Sequence, residues 1–247
     1  MCQIIQKQPK GDIMETILKD LASQSGILIS ETQMNQLEEY KKLLLEWNQK
    51  INLTAITDEE EIALKHFLDS MTILKYLTPN ASMIDVGTGA GFPGLVVKIM
   101  REDLSVTLLD SLNKRISFLN EVIFKNQLKN IQSIHGRAEE FGNLLQYREH
   151  FDFAVARAVA PLPVLAEYCL PFVKTGGLFI AMKGKQTEEI ELGLKAIEVL
   201  GGFIEKIDTF TLPHSEMERN LILIRKIKAT PKSYPRKAGI PEKNPIV

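Results

Sequence analysis

The stretch Asp85-Val86-Gly87-Thr88-Gly89-Ala90-Gly91-Phe92-Pro93-Gly94 decides the fold. It follows a short β-prone run, Met83–Val86, and opens a helical stretch. Glycines let a backbone turn tightly, approach a ligand closely and aim free N–H groups outward. Pro93 suits the first position of the helix, where its missing N–H would have no partner anyway.

Downstream of this loop, strands and helices alternate. Further β-prone runs lie at Val106–Asp110, Ile131–His135, Phe151–Ala156, Leu178–Met182, Phe203–Phe210 and Leu221–Lys226. Amphipathic helical stretches, including Lys114–Asn126 and Thr187–Leu200, separate the first five strands. That alternation predicts an α/β fold with a largely parallel sheet covered on both faces. The polar stretch Leu212 to Arg219 has no room for a crossover helix, so the last two strands should form a hairpin. The expected sheet has seven strands, six parallel and one antiparallel.

Upstream, to about residue 80, the pattern is helical. Met34, Leu37, Lys41, Leu44 and Leu45 recur at three- and four-residue steps. Ser30 with Gln33, and Thr57 with Glu60, fit capping boxes. The expected organisation is a helical region over 1–80, a sheet domain over 81–228 and a basic tail over 229–247. No internal repeat or low-complexity segment is present.

Composition narrows the class. Of 247 residues, 45% are hydrophobic and 25% charged, which excludes a disordered chain or a coiled-coil rod. Apolar runs such as Leu178 to Met182 are too short to cross a bilayer, and the first residues lack a signal-peptide layout. Two cysteines, Cys2 and Cys169, and four scattered histidines offer no metal-site spacing and no disulfide framework. A cytoplasmic, soluble protein without metal or membrane partner is expected. Net charge is −1, yet residues 225–247 carry seven basic residues against one acid. Such a tail is either an arm for a polyanion or a solvated terminus.

Three ligand classes compete for the loop. A nucleoside triphosphate requires a lysine and a hydroxyl after the last glycine, but Leu95 and Val96 stand there. A dinucleotide accepts the spacing of Gly89, Gly91 and Gly94, a match that is not specific by itself. S-adenosyl-L-methionine needs close backbone approach and no adjacent cation. Asp110 ends the second strand, where a carboxylate can accept both ribose hydroxyls; its alternative use is as a helix-initiating cap. Asp85 would lie beneath the methionine end, and Ala138 with Glu139 where an adenine pocket would form.

With Asp85–Leu95, the segments Leu109-Asp110-Ser111-Leu112-x-Lys114-Arg115, Trp47-Asn48-x-x-x-Asn52-Leu53-Thr54 and His66-x-x-Asp69-Ser70 resemble one family. So do Gly136-Arg137-Ala138-Glu139, Ala156-Arg157-Ala158, Lys183-Gly184 and Tyr234-Pro235-Arg236-Lys237-x-Gly239. In this order they resemble the small-subunit ribosomal RNA guanine-N7 methyltransferases, long called the glucose-inhibited division protein B family. The resemblance spans about residues 40–245. It implies a class I methyltransferase fold, Rossmann-like, and methylation of N7 of one guanine in the decoding-region loop of 16S rRNA. It places Gly87, Phe92, Ala138, Glu139 and Arg157 at the cofactor, and the general geometry of that fold adds Gly89, Gly91 and Asp110.

The residues agree with that chemistry. Guanine N7 has an in-plane lone pair and no proton to lose, so no general base is needed. The segment Ala156-Arg157-Ala158-Val159-Ala160-Pro161-Leu162-Pro163 lacks both an amine-methylating Asn-Pro-Pro-Tyr-type loop and a cysteine nucleophile. Cys169 reads as core. Arg157 and Lys183 are the candidates for holding the base through O6 or for contacting a phosphate. Their alternatives are a salt bridge from Arg157 to Asp85 or Asp69, and a solvated strand end for Lys183. His66 and Asp69 either line the pocket or pack the helices, and Trp47 reads as an anchor between helices and sheet. Lys114 and Arg115, with Tyr234, Arg236 and Lys237 in the tail, are the expected RNA contacts. The expected partner is 16S rRNA or the small ribosomal subunit, met by a monomer. An NAD-dependent oxidoreductase and a non-catalytic RNA-binding protein are the competing readings.

Overall fold

A computed structural model describes residues 13–184 and 188–247; Cys2 and Thr187 lie outside them. Seven strands form one sheet: β1 (Ser82–Val86), β2 (Ser105–Asp110), β3 (Ile131–His135), β4 (Phe151–Arg157), β5 (Val173–Lys183), β6 (Gly202–Thr211) and β7 (Glu218–Lys226). Their order is β3-β2-β1-β4-β5-β7-β6. Only β7 runs against its neighbours, with Leu178 opposite Arg225 and Phe203 opposite Arg225 on its two sides. The expected topology holds, because the Leu212–Met217 turn is too short for anything but a hairpin. β5 starts five residues earlier than the periodicity predicts. Lys174-Thr175-Gly176-Gly177, outside the expected run, is part of the strand.

Alternation along the strands divides the core in two. Met83, Phe153, Val155, Leu178 and Ile180 face one side, while Ile84, Ala154, Ala156, Phe179 and Ala181 face the other. The first side is covered by helices from both ends of the sheet region. These are α1 (Ile13–Gln24), α2 (Glu31–Ile51), α5 (Gly94–Met100) and α6 (Asn113–Lys125). Between α2 and β1 the chain passes through α3 (Glu59–Glu61), a π-helical turn (Ile62–Leu68) and α4 (Asp69–Met71). The opposite side is covered by α8 (Leu162–Cys169) and α9 (Glu188–Val199), with α7 (Ala138–Phe141) at its margin.

Two helix starts are informative. Ser30 caps α2 through the expected capping box, its hydroxyl accepting from the Gln33 N–H. The next start is not capped by Thr57: Asp58 accepts the Glu61 N–H at 3.0 Å instead. The carboxylate one residue later carries the charge that an N-terminal dipole favours. Pro93 likewise sits one position earlier than expected, as the residue that caps α5.

Trp47 does anchor the helical region. Its indole N–H donates to Glu121 at 2.9 Å and its ring tilts against Phe118 of α6. Cys169 is buried in the second core, as expected.

The C-terminal segment corrects the expectation of a free basic arm. It folds back over α7 and α8 and ends in α10 (Ile240–Lys243). Arg148 donates to the Tyr234 and Thr230 carbonyls at 2.8 and 2.7 Å, and Asn143 to the Pro235 carbonyl. Arg236 forks onto Glu167, whose carboxylate is 1% exposed. Tyr234 packs against the second core. Tyr234 and Arg236 are partly buried and engaged in these contacts, while Lys237 stays exposed. Arg236→Ala would leave the buried Glu167 carboxylate without its countercharge, bonded only through the residue 236 N–H, so it should cost about 3 kcal/mol of unfolding free energy. A urea titration in which the variant matches wild type contradicts that assignment.

Candidate functional site

The site is built at the carboxyl ends of β1, β2 and β4, where the strand order reverses. Asp85 near the end of β1 is completely buried. Its Oδ2 accepts the Thr88 hydroxyl at 2.7 Å and the Gly94 N–H at 2.8 Å, so one oxygen joins the two ends of the glycine loop. Its Oδ1 is buried without a partner. Burial pushes the carboxyl up to about 6 despite the two donors. Asp85 therefore supports the loop from below.

Gly87 and Gly89 hold φ of 71° and 60°, a region that side chains resist. A Cβ on Gly87 would lie 2.8 Å from Val159, whereas one on Gly89 would meet no atom closer than 4.0 Å. Gly91 is packed against Leu95 and Tyr40, and the Tyr40 hydroxyl donates to the Ala90 carbonyl. Helix α2 thus props the loop from the side. Phe92 does not line a hollow: its ring is buried between Tyr40 and His66, at 5.2 and 4.4 Å between centroids.

Two hollows flank this loop and meet at Val159. The smaller, about 130 Å³, brings together Gly87, Asp110, Ala138 and Glu139 as the sequence predicts. Asp110 combines its two candidate uses. It accepts the Gly89 N–H and the Leu112 N–H, each at 2.9 Å, and pairs with Arg115 at 3.2 Å. A carboxylate has about four acceptor positions, so capacity for a ribose remains at its edge. Arg115 is thus partly committed to Asp110, and Lys114 is exposed beside it.

The larger cavity, about 850 Å³, gathers His66, Asp69, Arg157, Lys183 and Arg219. Arg157 donates through Nη1 to Asp69 at 2.8 Å and to the Lys65 carbonyl at 3.0 Å, and its guanidinium stands over Phe92. Arg219 reaches the other oxygen of Asp69 at 2.8 Å. Of the two salt bridges weighed for Arg157, the one to Asp69 forms. Lys183 is not a solvated strand end: it donates to the Ala160 carbonyl at 2.6 Å and to Glu189 at 2.7 Å. Glu189 also accepts the Leu162 N–H, so this pair fixes the turn between β4 and α8. His66 sits on the π-helical turn, bonded to Thr54 at 2.8 Å. Burial first, and the Arg157 charge second, push its imidazole down to about 4, so it is neutral at physiological pH.

Sequence reasoning missed Arg219, Glu189, Tyr168 and Glu242. Arg219 lies in the last hairpin, 150 positions from Asp69, and no local pattern links the two.

Strand order, glycine loop and paired hollows define a class I S-adenosylmethionine-dependent methyltransferase fold. A crystallised SAM dependent methyltransferase from Aquifex aeolicus aligns with a TM-score of 0.52 at 19% identity, over 70% of this chain and 96% of that one. The family described as GidB, rRNA small subunit methyltransferase G, matches residues 33–222. The ribosomal RNA small subunit methyltransferase G of Acetivibrio thermocellus is 56% identical over 94% of this chain and 97% of its own. That of Alkaliphilus metalliredigens is 54% identical over 93% and 98%. The chain belongs to the rRNA small subunit methyltransferase G family.

The Asp85 carboxyl has a testable signature. Its raised folded value means that the native state holds a proton the unfolded chain has lost between about 4 and about 6. Its contribution to stability therefore falls as pH rises through that window. His66, pushed down, contributes in the opposite sense between 6.5 and about 4. The stability of Asp85→Asn relative to wild type should accordingly improve as pH rises from about 4 to about 6. Denaturant titrations giving a constant difference across that range would remove the proposed burial effect.

Proposed function

We propose that this chain transfers the methyl group of S-adenosyl-L-methionine to N7 of a guanine in the decoding-region loop of 16S rRNA. One observation carries the reading. A hollow with sugar- and base-accepting carboxylates joins a larger, cation-bearing cavity at Val159, opposite a glycine that tolerates no side chain. A cofactor laid across Gly87 would place its nucleoside in the first and its methyl at the mouth of the second. The open space over Gly89 fits a ligand that approaches the backbone closely.

Bound S-adenosylmethionine supplies an electrophilic methyl carbon on a positively charged sulfur. The protein's part is alignment and exclusion of water. Among the described residues lining the larger cavity none is set up as a base: His66 is neutral and stacked, Asp69 is shared between two guanidinium groups, and Glu189 is paired with Lys183. Cys169, buried on the other side of the sheet with its thiol pushed up, is no nucleophile. Arg157, held by Asp69 and the Lys65 carbonyl, is placed to donate to guanine O6 and leave N7 open. Lys183 spends two of its three N–H groups on Ala160 and Glu189, so its role is to hold residues 158–161 against the base, with one donor in reserve. Lys65 and Arg219 extend the cationic rim, where phosphates would fix the register of the RNA. Lys114, Arg115 and Lys237 are outlying candidates for the same backbone contacts.

Labelled S-adenosylmethionine incubated with undermethylated 30S subunits should yield 7-methylguanosine on nucleoside analysis. Label recovered in any other nucleoside overturns the assignment. With no proton to remove, the single-turnover rate should change by less than about two-fold between pH 7 and pH 9. A log-linear rise over that interval would require a base the cavity lacks. Asp110→Ala should weaken cofactor binding by about 2 kcal/mol, through loss of a charged acceptor. Calorimetry giving an unchanged affinity takes Asp110 out of the site.

A further inference from the structure

The smaller hollow has a wall that the glycine loop does not supply. Tyr168 of α8 and Glu242 of α10 line it too, and the Tyr168 hydroxyl donates to Glu242 Oε1 at 3.1 Å. Glu139, also in the lining, is 4% exposed, and its Oε1 accepts the Gly239 N–H at 3.0 Å. The C-terminal segment is thus bonded to two residues of the lining, Tyr168 and Glu139. It is also held there firmly. Thr230 accepts from the buried Lys226 ammonium at 2.5 Å and donates its N–H to Glu149 at 2.7 Å. Arg148 and Asn143 grip the carbonyls of Thr230, Tyr234 and Pro235, and Arg236 is locked on Glu167. Gly239 turns the chain at φ 78°, and buried Pro241 seats α10. Nothing in this arrangement leaves the segment extended for a long polyanion. Everything in it brings Glu242 to the rim of the hollow.

We propose that the C-terminal segment is the base-reading wall of the cofactor hollow, with Glu242 selecting a purine that carries an exocyclic amine. This inference rests on the S-adenosylmethionine reading above and extends it to a residue outside the glycine loop. The chemistry is one of donors and acceptors. A carboxylate only accepts hydrogen bonds, and one oxygen of Glu242 is already fixed by Tyr168. The remaining acceptor positions suit the amine of adenine and repel the carbonyl of a 6-oxopurine. The lining carries three carboxylates, Asp110, Glu139 and Glu242, against Arg137. That balance favours a neutral base and a ribose over a pyrophosphate, and so separates this hollow from a dinucleotide site.

Glu242 is exposed, so its replacement leaves the core intact. The full-length chain, Glu242→Gln and Glu242→Ala are titrated calorimetrically with S-adenosylhomocysteine and with its deaminated analogue, S-inosylhomocysteine. RNA affinity is followed in parallel with a fluorescent oligonucleotide of the decoding-region loop. Wild type should prefer the adenosyl compound. Glu242→Gln should bind that compound about ten-fold more weakly, as for one lost charged acceptor, and should narrow the adenosyl-to-inosyl ratio. RNA affinity should not move. Unchanged adenosyl affinity in both variants, or an equal loss for both compounds, overturns the proposal. A fall in RNA affinity with cofactor affinity intact overturns it too, and returns the segment to an RNA-binding role. If wild type binds neither compound, the cofactor reading itself fails. Binding by wild type with indifferent variants defeats only the wall.

Discussion

A single buried carboxylate oxygen governs the geometry of the site. Asp85 Oδ2 ties the Thr88 hydroxyl to the Gly94 N–H, so the loop leaving β1 and the start of α5 share one acceptor inside an apolar core. Burying a carboxyl is costly unless donors meet it. Here two donors do, and the residual cost appears as a carboxyl raised to about 6. There is no slack in the arrangement. A methyl group on Gly94 would lie 2.4 Å from Leu108 and 2.7 Å from that same oxygen. With both ends of the loop fixed, Gly87 is pressed toward Val159 and Gly89 turns its N–H to Asp110 on the next strand. Loop, ribose-type acceptor and the junction of the two hollows follow from one pair of hydrogen bonds.

The sheet supplies only the floor. Its walls come from chain segments at either end of the sequence. From the N-terminal side, Tyr40 braces Ala90, Trp47 braces α6, and His66 stacks on Phe92 beneath the Arg157 guanidinium. From the C-terminal side, residues 230–243 close the smaller hollow. This explains why helices and sheet share a continuous core: Met34, Leu37 and Phe67 pack in the same cluster as Val106, Leu108 and Phe118. A helical region free to swing would carry His66 and Asp69 away from Arg157.

How much of this the sequence discloses depends on distance along the chain. Strand runs such as Val106–Asp110 and the capping box at Ser30 are readable because their causes, a run of β-prone residues and a side chain three residues away, are local. The glycine loop is readable because positive φ leaves a compositional mark. The Asp58 cap is displaced by one residue because Thr57 and Asp58 are both capping types, and a first turn full of carboxylates does not distinguish them. The C-terminal segment is misread for a stronger reason. Prolines and lysines have the same composition in a solvated arm as in a docked strap. What separates the two is Arg236 meeting Glu167, 69 positions away, and Arg148 meeting carbonyls more than 80 positions away. Backbone acceptors carry no sequence signal at all. Arg219 is hidden likewise, since only the sheet order brings β7 within reach of Asp69.

The charge arrangement of the larger cavity bears on what a ring-nitrogen methylation demands. A site that must remove a proton keeps an ionisable group poised near the working pH. This cavity does the reverse. Its imidazole is pushed down to about 4 and its carboxylate, Asp69, is held between two guanidinium groups. Burial first and the Arg157 charge second keep the imidazole neutral, and Asp69 is bonded on both oxygens. The result is a fixed set of dipoles and charges around a space large enough for a purine, and such a set needs no reorganisation as charge moves from sulfur to base. The rigidity that Asp85 imposes on the loop and Lys183 imposes on residues 158–161 belongs to the same design. When alignment is the whole contribution of a protein to a transfer, the parts that hold the partners have to be as stiff as the sheet beneath them.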